Sequence, residues 1–164
     1  MKRISALLAA MLIALFAVFA MGSGESSTVD QGDGSASKET TPGNIGKYSV
    51  VIDSCRVAED YEGKPVAIVK YIYTNVADEN ATAFYIAFED HVYQSGIGLN
   101  KAYFLADTAN YNSENQTKQI KKGATIEVEV AYSLNDTTTE IEVEVEELFS
   151  FNETKVTKKF SING

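Results

Sequence analysis

Two stretches in the second half of the chain alternate between large apolar residues and glutamate, alanine or serine. Over residues 126–134 the apolar positions are Ile126, Val128, Val130, Tyr132 and Leu134. Over residues 140–146 they are Ile141, Val143 and Val145, and glutamates occupy every position between them. A period of two places one set of side chains against a core and the other in water, as in an antiparallel sheet with one solvated face. Both stretches are therefore predicted to be β-strands.

The first half of the domain also shows a strand pattern. Residues 48–57 form one predicted strand, in which the apolar set changes parity, so we expect a bulge near Asp53 and Ser54. Residues 62–65, Glu-Gly-Lys-Pro, predict a turn. Residues 66–74 form the next strand, with an inward set of Ala67, Val69, Tyr71 and Tyr73.

Three more strands complete the prediction. Residues 82–92 are apolar nearly throughout, which indicates a central strand covered on both faces. Residues 102–106 are expected to form a short edge strand, and residues 155–162 the last strand. If Phe149 faces Thr154 in the final hairpin, Glu144 lies opposite Lys159.

About seven short strands, with turns every 10–15 residues (for example at Gly96 and Gly98) and no helical stretch, indicate an all-β protein. This spacing is typical of an antiparallel β-sandwich of two sheets. The long polar segment 110–122 is predicted to be a loop.

The N-terminus reads as an export signal. Lys2 and Arg3 precede an apolar run that extends to Met21 and ends in small residues, so residues 1–22 are predicted to be a signal peptide. The alternative is an uncleaved membrane anchor, although the run is slightly short for a comfortable span. Ser23 stands where a bacterial lipoprotein carries its lipid-attached cysteine, so lipid anchoring is not supported.

Residues 23–46 are dominated by Gly, Ser, Thr, Asp and Glu, and this composition predicts a disordered polar linker. The folded domain is expected over residues 47–164. Localisation is therefore predicted to be secreted, or at the outer face of the cell envelope.

The charge balance narrows the possible partners. The chain has 14 basic and 23 acidic residues and a formal charge of −9, so no nucleic-acid footprint is present. Membrane contact is expected only through an uncleaved signal segment. The single cysteine cannot form an internal disulfide.

The sequence predicts no catalytic residues, no cofactor and no metal ligands, and we expect a protein that is not an enzyme. His91 is the one histidine, beside Glu89 and Asp90, and is interpreted as a surface residue at a strand end. Cys55 is interpreted as a buried structural residue. Acidic loops at 78–80 and 135–136 leave calcium binding open.

Nine tyrosines without any tryptophan raise the possibility of a stacking platform for sugars. Most of the tyrosines lie at inward positions. The candidate ligand-binding residues are Tyr93, Tyr103 and Tyr111, in the turn-rich middle of the domain.

The domain resembles the immunoglobulin-like domain of unknown function found in secreted lipoproteins of Gram-positive bacteria. Five blocks in order carry the resemblance, namely 60–65 (DYEGKP), 71–79 (YIYTNVADE), 93–99 (YQSGIGL), 122–134 (KGATIEVEVAYSL) and 147–151 (ELFSF). The resemblance implies an immunoglobulin-like sandwich outside the cell, and it implies no activity. We therefore expect a non-enzymatic module that binds an unknown extracellular protein or glycan. The alternative is a carbohydrate- or cell-wall-binding accessory domain that uses exposed tyrosines.

Overall fold

The computed structural model describes residues 43–149 and 154–162. Within these ranges the eight strands are β1 (Gly43–Ile45), β2 (Tyr48–Glu59), β3 (Pro65–Asn75), β4 (Phe88–Gln94), β5 (Ile97–Gly98), β6 (Thr125–Ser133), β7 (Ile141–Glu147) and β8 (Lys155–Phe160). A short helix, α1 (Phe84–Ala87), and two 3-10 turns, Asp107–Ala109 and Glu114–Gln116, accompany them. In this part of the chain no helix is both long and apolar enough to cross a membrane.

The strands form two antiparallel four-stranded sheets. The first sheet has the order β1-β2-β3-β6, and the second sheet has the order β5-β4-β7-β8. The prediction of an all-β protein with two antiparallel sheets is therefore confirmed.

The main core lies between the inner faces of the two sheets, where the alternating residues meet. The predicted inward sets of β3, β6 and β7 all belong to this core, with Ile126 only partly buried at its margin. The glutamates between the core positions of β7 stay partly exposed. Alternation along these strands therefore identifies the residues of the main core correctly, and β7 also shows the expected wet side between them.

Aromatic rings fill one part of the core, and each buried phenol has a hydrogen-bond partner. Tyr73 contacts Phe84 and Phe88 with ring centroids 6.1 and 5.5 Å apart. The Tyr73 hydroxyl donates to the Thr82 carbonyl at 3.1 Å, and the Tyr48 hydroxyl donates to Asp78 at 2.7 Å. Partnered hydroxyls let tyrosine act as a core residue without a desolvation penalty for its polar end.

The predicted bulge in β2 is present, since the register against β3 shifts between Ile52 and Ser54. The strand stays in the first sheet on both sides of the bulge. Lys158 of β8, in the opposite sheet, donates to the carbonyl oxygens of Ile52 at 3.0 Å and Asp53 at 2.7 Å. One ammonium group thus donates to two carbonyls at the bulge.

The first sheet is covered on its outer face as well. Val66, Ile68 and Ala131 form a second, smaller core with Ala109. The covering residues come from the long connection between β5 and β6. The predicted polar loop 110–122 is part of this cover rather than a free loop, because Tyr111 packs against the second core and Ile120 against the main core.

The strand predicted over residues 82–92 is wrong in its first half. Residues 82–87 contain α1 instead of a strand, and only 88–94 form β4. Phe84, Ala87 and Phe88 are buried whereas Tyr85 and Ile86 are exposed. This spacing follows the helical period, which the unbroken apolar run conceals in the sequence.

Residues 102–106 do not form the predicted edge strand. Lys101 and Leu105 make isolated bridges to Tyr132 and Asp60, since this segment crosses from one sheet to the other instead of extending either. The strand count is eight instead of seven because β1 and β5 are additional and 102–106 is not a strand.

The boundary of the predicted linker also needs correction. Residues 43–45, assigned to the linker, form β1 and pair with β2, and Ile45 is buried. One apolar residue among polar neighbours gives no period to detect. The signal peptide over 1–22 and residues 23–42 of the predicted linker lie outside the described residues.

The register predicted for the final hairpin is wrong by two residues. Glu144 lies opposite Thr157, and Lys159 lies opposite Glu142. A shift of two keeps every side chain on its predicted face, so the buried set is unaffected. The connection is longer than the four residues assumed, because β7 ends at Glu147 and β8 begins at Lys155.

Replacing Lys158 with methionine keeps the apolar stem and removes the ammonium group from the bulge. We expect Lys158→Met to lower the free energy of unfolding by about 1–3 kcal/mol, since two partly buried carbonyls lose a charged donor. Urea denaturation measures this change. The matched control is Lys159→Met, which removes an exposed ion pair to Glu140 and should cost less than about 1 kcal/mol. Equal effects of the two substitutions would contradict the role of Lys158.

Candidate functional site

A segment that crosses between the two sheets builds the candidate site. We call residues 99–106 the crossing segment. It begins on the second sheet, where the Leu99 amide donates to the Val92 carbonyl at 2.7 Å. It then lies along β6, with the Ala102 amide donating to Ala131 at 2.8 Å, and reaches the end of β2, where the Ala106 amide donates to Glu59 at 3.1 Å.

The tight hairpin between β4 and β5 directs the chain into the crossing segment. Ser95 and Gly96 connect β4 to β5 with φ angles of 53° and 75°. Positive φ at both central residues is the geometry of a turn that matches the strand twist, and glycine adopts it at little cost. β5 is only two residues long, so most of the outer edge of β4 is left open to the crossing segment.

Between β4, α1 and the crossing segment lies a pocket of about 450 Å³, which we call the edge pocket. Its wall includes Tyr85, Glu89, His91, Asn100, Lys101 and Tyr103. The walls thus combine aromatic rings with charged and amide groups. This composition suits a polar ligand with a face that can stack.

A buried carboxylate lies at this pocket. The Asp90 side chain is only 3% exposed and accepts a hydrogen bond from Lys101 Nζ at 2.8 Å, and that lysine is 37% exposed. The Tyr132 hydroxyl also donates to Asp90, and it lies 3.1 Å from the Tyr71 hydroxyl. Burial raises the pKa of Tyr132 and of Tyr71 well above the ordinary value, so both phenols are neutral. The network therefore carries one ion pair with neutral donors around it.

Next to the edge pocket lies a group of exposed rings, Tyr61, Tyr103 and Phe104, which we call the aromatic patch. The three residues are 68%, 75% and 74% exposed. Tyr61 and Phe104 meet edge to face, with centroids 6.2 Å apart and planes at 84°. The Tyr61 amide donates to the Phe104 carbonyl at 3.2 Å, which fixes the turn between β2 and β3 against the crossing segment. A cavity of about 460 Å³ opens over these rings and Leu105.

The three tyrosines selected from the sequence lie in different environments. Tyr103 belongs to both the edge pocket and the aromatic patch. Tyr93 lies on the outer face of the second sheet, with its ring 6.2 Å from that of His91. Tyr111 packs against the second core and accepts a hydrogen bond from Gln116 at 2.8 Å. The structure does not bring the three rings onto one surface.

His91 lies on the same outer face as Tyr93. Its Nε2 is 3.3 Å from a carboxylate oxygen of Glu89. Antiparallel pairing brings Glu146 of β7 directly opposite Glu89. One donor atom from each of these three side chains lies within 4.8 Å of the others.

Cys55 is half-buried at the margin of the main core. Burial raises the pKa of its thiol to about 11, and the nearby Arg56 opposes this shift only in part. The thiol is therefore protonated at neutral pH, and it is a poor nucleophile in that form.

In each of the two acidic loops considered for calcium, an aspartate carboxylate accepts hydrogen bonds from the protein itself. Asp136 accepts hydrogen bonds from the amides of Thr138 at 2.8 Å and Thr139 at 2.7 Å. Asp78 accepts the Tyr48 hydroxyl and the Asn80 amide, and these bonds lower the pKa of its carboxyl. The bonds from the amides of Thr138, Thr139 and Asn80 are those of turn-forming aspartates.

Sequence reasoning missed four residues of this region: Asp90, Lys101, Tyr61 and Phe104. Asp90 could have been recognised from the sequence pattern, because it is the charged residue in an inward series with Phe88, Val92 and Gln94. A charged residue at an inward position indicates a buried partner. Nothing in the sequence indicates that partner to be Lys101, because the crossing segment has no strand period.

Removing the ammonium group of Lys101 should destabilise the fold, because the buried Asp90 carboxylate loses its charged partner. We expect Lys101→Met to lower the free energy of unfolding by about 1–3 kcal/mol, because Asp90 keeps only its tyrosine donor. Thermal or urea unfolding measures the change. Lys118→Met, at an exposed pair with Glu114, is the control and should have an effect below about 1 kcal/mol. An unchanged Lys101→Met protein would show that water replaces the lysine without loss.

The hydrogen bonds that Asp136 accepts in its loop predict how the stability of the fold depends on pH. Its hydrogen bonds from the amides of Thr139 and Thr138 lower the pKa of the carboxyl to about 2. Because the folded pKa lies below the unfolded one, the stabilisation from Asp136 is complete above about pH 4 and is lost as the pH falls through about 2. A carboxyl-carbon NMR titration should give a midpoint near 2. A midpoint near 4 would mean that the loop does not hold the carboxylate.

Comparison with known proteins agrees with this fold. A putative lipoprotein from Staphylococcus aureus superposes with a TM-score of 0.55 at 19% identity, over 76% of this chain and 94% of that chain. A putative lipoprotein from Bacillus subtilis gives a TM-score of 0.56 at 14% identity, over 77% of this chain, and the match spans only 40% of the longer Bacillus chain. At these identities the likeness concerns the fold.

No curated protein matches the chain. One family model does, over residues 24–147, which is 124 of the 164 residues. The sequence predicts a domain of unknown function that is found in lipoproteins of Gram-positive bacteria. The family match and the two putative lipoproteins confirm that relation, but no function follows from it. The chain belongs to the family described as Domain of unknown function (DUF5067).

Proposed function

We propose that this domain is a non-enzymatic, immunoglobulin-like binding module at the outer face of the cell envelope. It contacts an extracellular protein through the aromatic patch. The observation that carries the proposal is the exposure of three neighbouring rings, each at least two-thirds accessible, in a chain with a formal charge of −9. Clustered exposed rings of this kind mark interaction sites in proteins that otherwise keep their surfaces polar.

The ring geometry favours a protein over a sugar. A sugar platform presents rings that lie flat beneath the ligand, whereas Tyr61 and Phe104 stand at 84° to each other. One flat sugar face cannot stack on both rings. An interlocking side chain from a protein fits between perpendicular rings, and Tyr and Phe are enriched at the centres of such interfaces.

The surroundings of the patch resemble the rim of a protein interface. Glu62 accepts a hydrogen bond from the Tyr61 hydroxyl at 2.9 Å and pairs with Lys64. Charged groups thus border the apolar centre on the side of the turn between β2 and β3. An apolar centre with a polar border is the usual arrangement of non-obligate interfaces.

Three observations support the location and the fold type. The first 22 residues have the pattern of an export signal. Two solved structures with a similar fold are described as putative lipoproteins. Two antiparallel sheets that enclose one core are the architecture of immunoglobulin-like domains.

The proposed absence of enzymatic activity is supported by the state of the two residues best suited to catalysis. The Cys55 thiol is half-buried, and its raised pKa keeps it protonated. The His91 imidazole contacts the Glu89 carboxylate, and this contact is not one that activates a serine, threonine or cysteine nucleophile.

A second candidate function is glycan binding in the edge pocket. Tyr85 and Tyr103 offer rings there, and Asn100 and Lys101 offer hydrogen-bond donors. This combination of stacking faces and polar groups is what a sugar site needs. It retains the role predicted for Tyr103 and assigns none to Tyr93 or Tyr111.

Photo-crosslinking separates the two functions. A benzophenone amino acid replaces Phe104 in the full chain, expressed in cells of the source organism, and Tyr93 on the second sheet is the control position. We expect one envelope protein to crosslink at position 104 and not at 93, with the yield reduced tenfold or more by Tyr61→Ala.

A glycan array with the wild-type chain, Tyr103→Ala and the ring-preserving Tyr103→Phe completes the experiment. Glycan binding that Tyr103→Ala abolishes and Tyr103→Phe retains, without a specific crosslink at 104, would establish the glycan function and overturn the protein one. Capture of the same proteins from positions 93 and 104, or of none, would also overturn the proposal.

A further inference from the structure

The outer face of the second sheet has a column of glutamates along β7, and lysines from β8 reach part of it. Lys155 Nζ lies 2.8 Å from Glu144, and Lys159 Nζ lies 3.5 Å from Glu140. Each lysine contacts the glutamate two residues before the one directly opposite it, since Lys155 faces Glu146 in register and Lys159 faces Glu142. The charge pairing on this side is therefore diagonal and regular.

The other side of the column is different. Glu89 of β4 lies directly opposite Glu146 of β7, so two carboxylates face each other across neighbouring strands. Like charges in directly opposed positions destabilise a sheet. Lys155, although opposite Glu146, directs its ammonium group to Glu144. A cation bound between Glu89 and Glu146 would remove this repulsion.

His91 adds an imidazole to the two carboxylates. It follows Glu89 by two residues and so shares its face of β4, and its Nε2 lies 3.3 Å from a Glu89 oxygen. One donor atom of each of the three side chains lies within 4.8 Å of the other two. A neutral imidazole nitrogen is a common ligand of transition-metal ions.

We propose that Glu89, His91 and Glu146 form a binding site for a divalent transition-metal ion, with Zn²⁺ as its best fit. Zinc accepts imidazole nitrogen and carboxylate oxygen as ligands, at about 2.0–2.2 Å from each. Tetrahedral ligands at that range stand roughly 3.4 Å from one another. Small side-chain rotations bring the three donor atoms from their present separations to that spacing. The imidazole also disfavours calcium and magnesium, which take oxygen ligands.

Three protein ligands leave one position of a tetrahedral ion open. Glu89 and His91 also line the edge pocket, so a water molecule or a donor from a bound partner can reach that position. The paired strands β4 and β7 hold the three Cα atoms in fixed register. The site is therefore prepared by the fold, and only side-chain rotation accompanies binding.

The test uses the full chain without an affinity tag, freed of metal and titrated separately with zinc chloride and calcium chloride by calorimetry. We expect one zinc ion per chain and no calcium binding. His91→Ala and Glu146→Gln should each weaken zinc binding at least tenfold. Glu142→Gln, on the same face of β7 but opposite Tyr93, is the matched control and should bind zinc as the wild type does.

Thermal unfolding in a chelator shows whether each variant folds. With folding intact, zinc should raise the melting temperature of the wild type and of Glu142→Gln but not of His91→Ala. The absence of saturable zinc binding, or a His91→Ala protein that binds zinc like the wild type, would overturn the site. Equal binding of calcium and zinc that does not depend on His91 would also overturn it, because a carboxylate cluster alone would then explain the data.

Discussion

Burial of β3 on both of its faces is the constraint on which the rest of the structure depends. Its inner face, with Val69 and Tyr71, packs against the second sheet, and its outer face, with Val66 and Ile68, lies beneath a second core. Among the residues that the structure describes, the segment between β5 and β6 covers that outer face. Because β5 lies in the second sheet and β6 in the first, this connection has to cross between the sheets before it can cover β3.

The crossing creates the surfaces on which function can reside. At its start it leaves the edge of β4 after one backbone bond from Leu99, and this opens the edge pocket. At its end it pairs with the last residues of β2 and leaves Tyr103 and Phe104 outside the second core, while Leu105 turns partly inward. The exposed rings are thus a consequence of the route that the chain takes. Maintaining three large rings in water is costly, and the binding of a partner would offset that cost.

The strands with one dry and one wet face could be predicted from the sequence, and the remainder could not. The period of β6 and β7 is complete, and the parity change around Asp53 correctly indicates a bulge. The residues from 82 to 88 are apolar whether they form a strand or a helix, so α1 is hidden. The register of the last hairpin depends on loop length, which composition does not determine.

The candidate site was predictable only where a residue type was conspicuous by itself. Tyr103 could be selected because a tyrosine in a turn-rich segment stands out. Tyr61 reaches the aromatic patch through a contact with Phe104 in a segment about 40 residues away, and no local sequence pattern encodes such a contact. The same holds for Glu146, since its proximity to Glu89 comes from strand register and not from spacing in the chain.

The edge pocket joins the two surfaces proposed for binding. Tyr103 belongs to the pocket and to the aromatic patch, whereas Glu89 and His91 belong to the pocket and to the proposed zinc site. A protein seated on the patch would therefore lie beside the pocket that the proposed zinc site also borders. Contact with apolar rings supplies affinity but imposes little orientation on the partner, whereas coordination of a metal ion requires a ligand at a fixed position. Together the two surfaces would let a small, strongly acidic domain select one partner, because most proteins that stick to exposed rings offer no metal ligand at the required position.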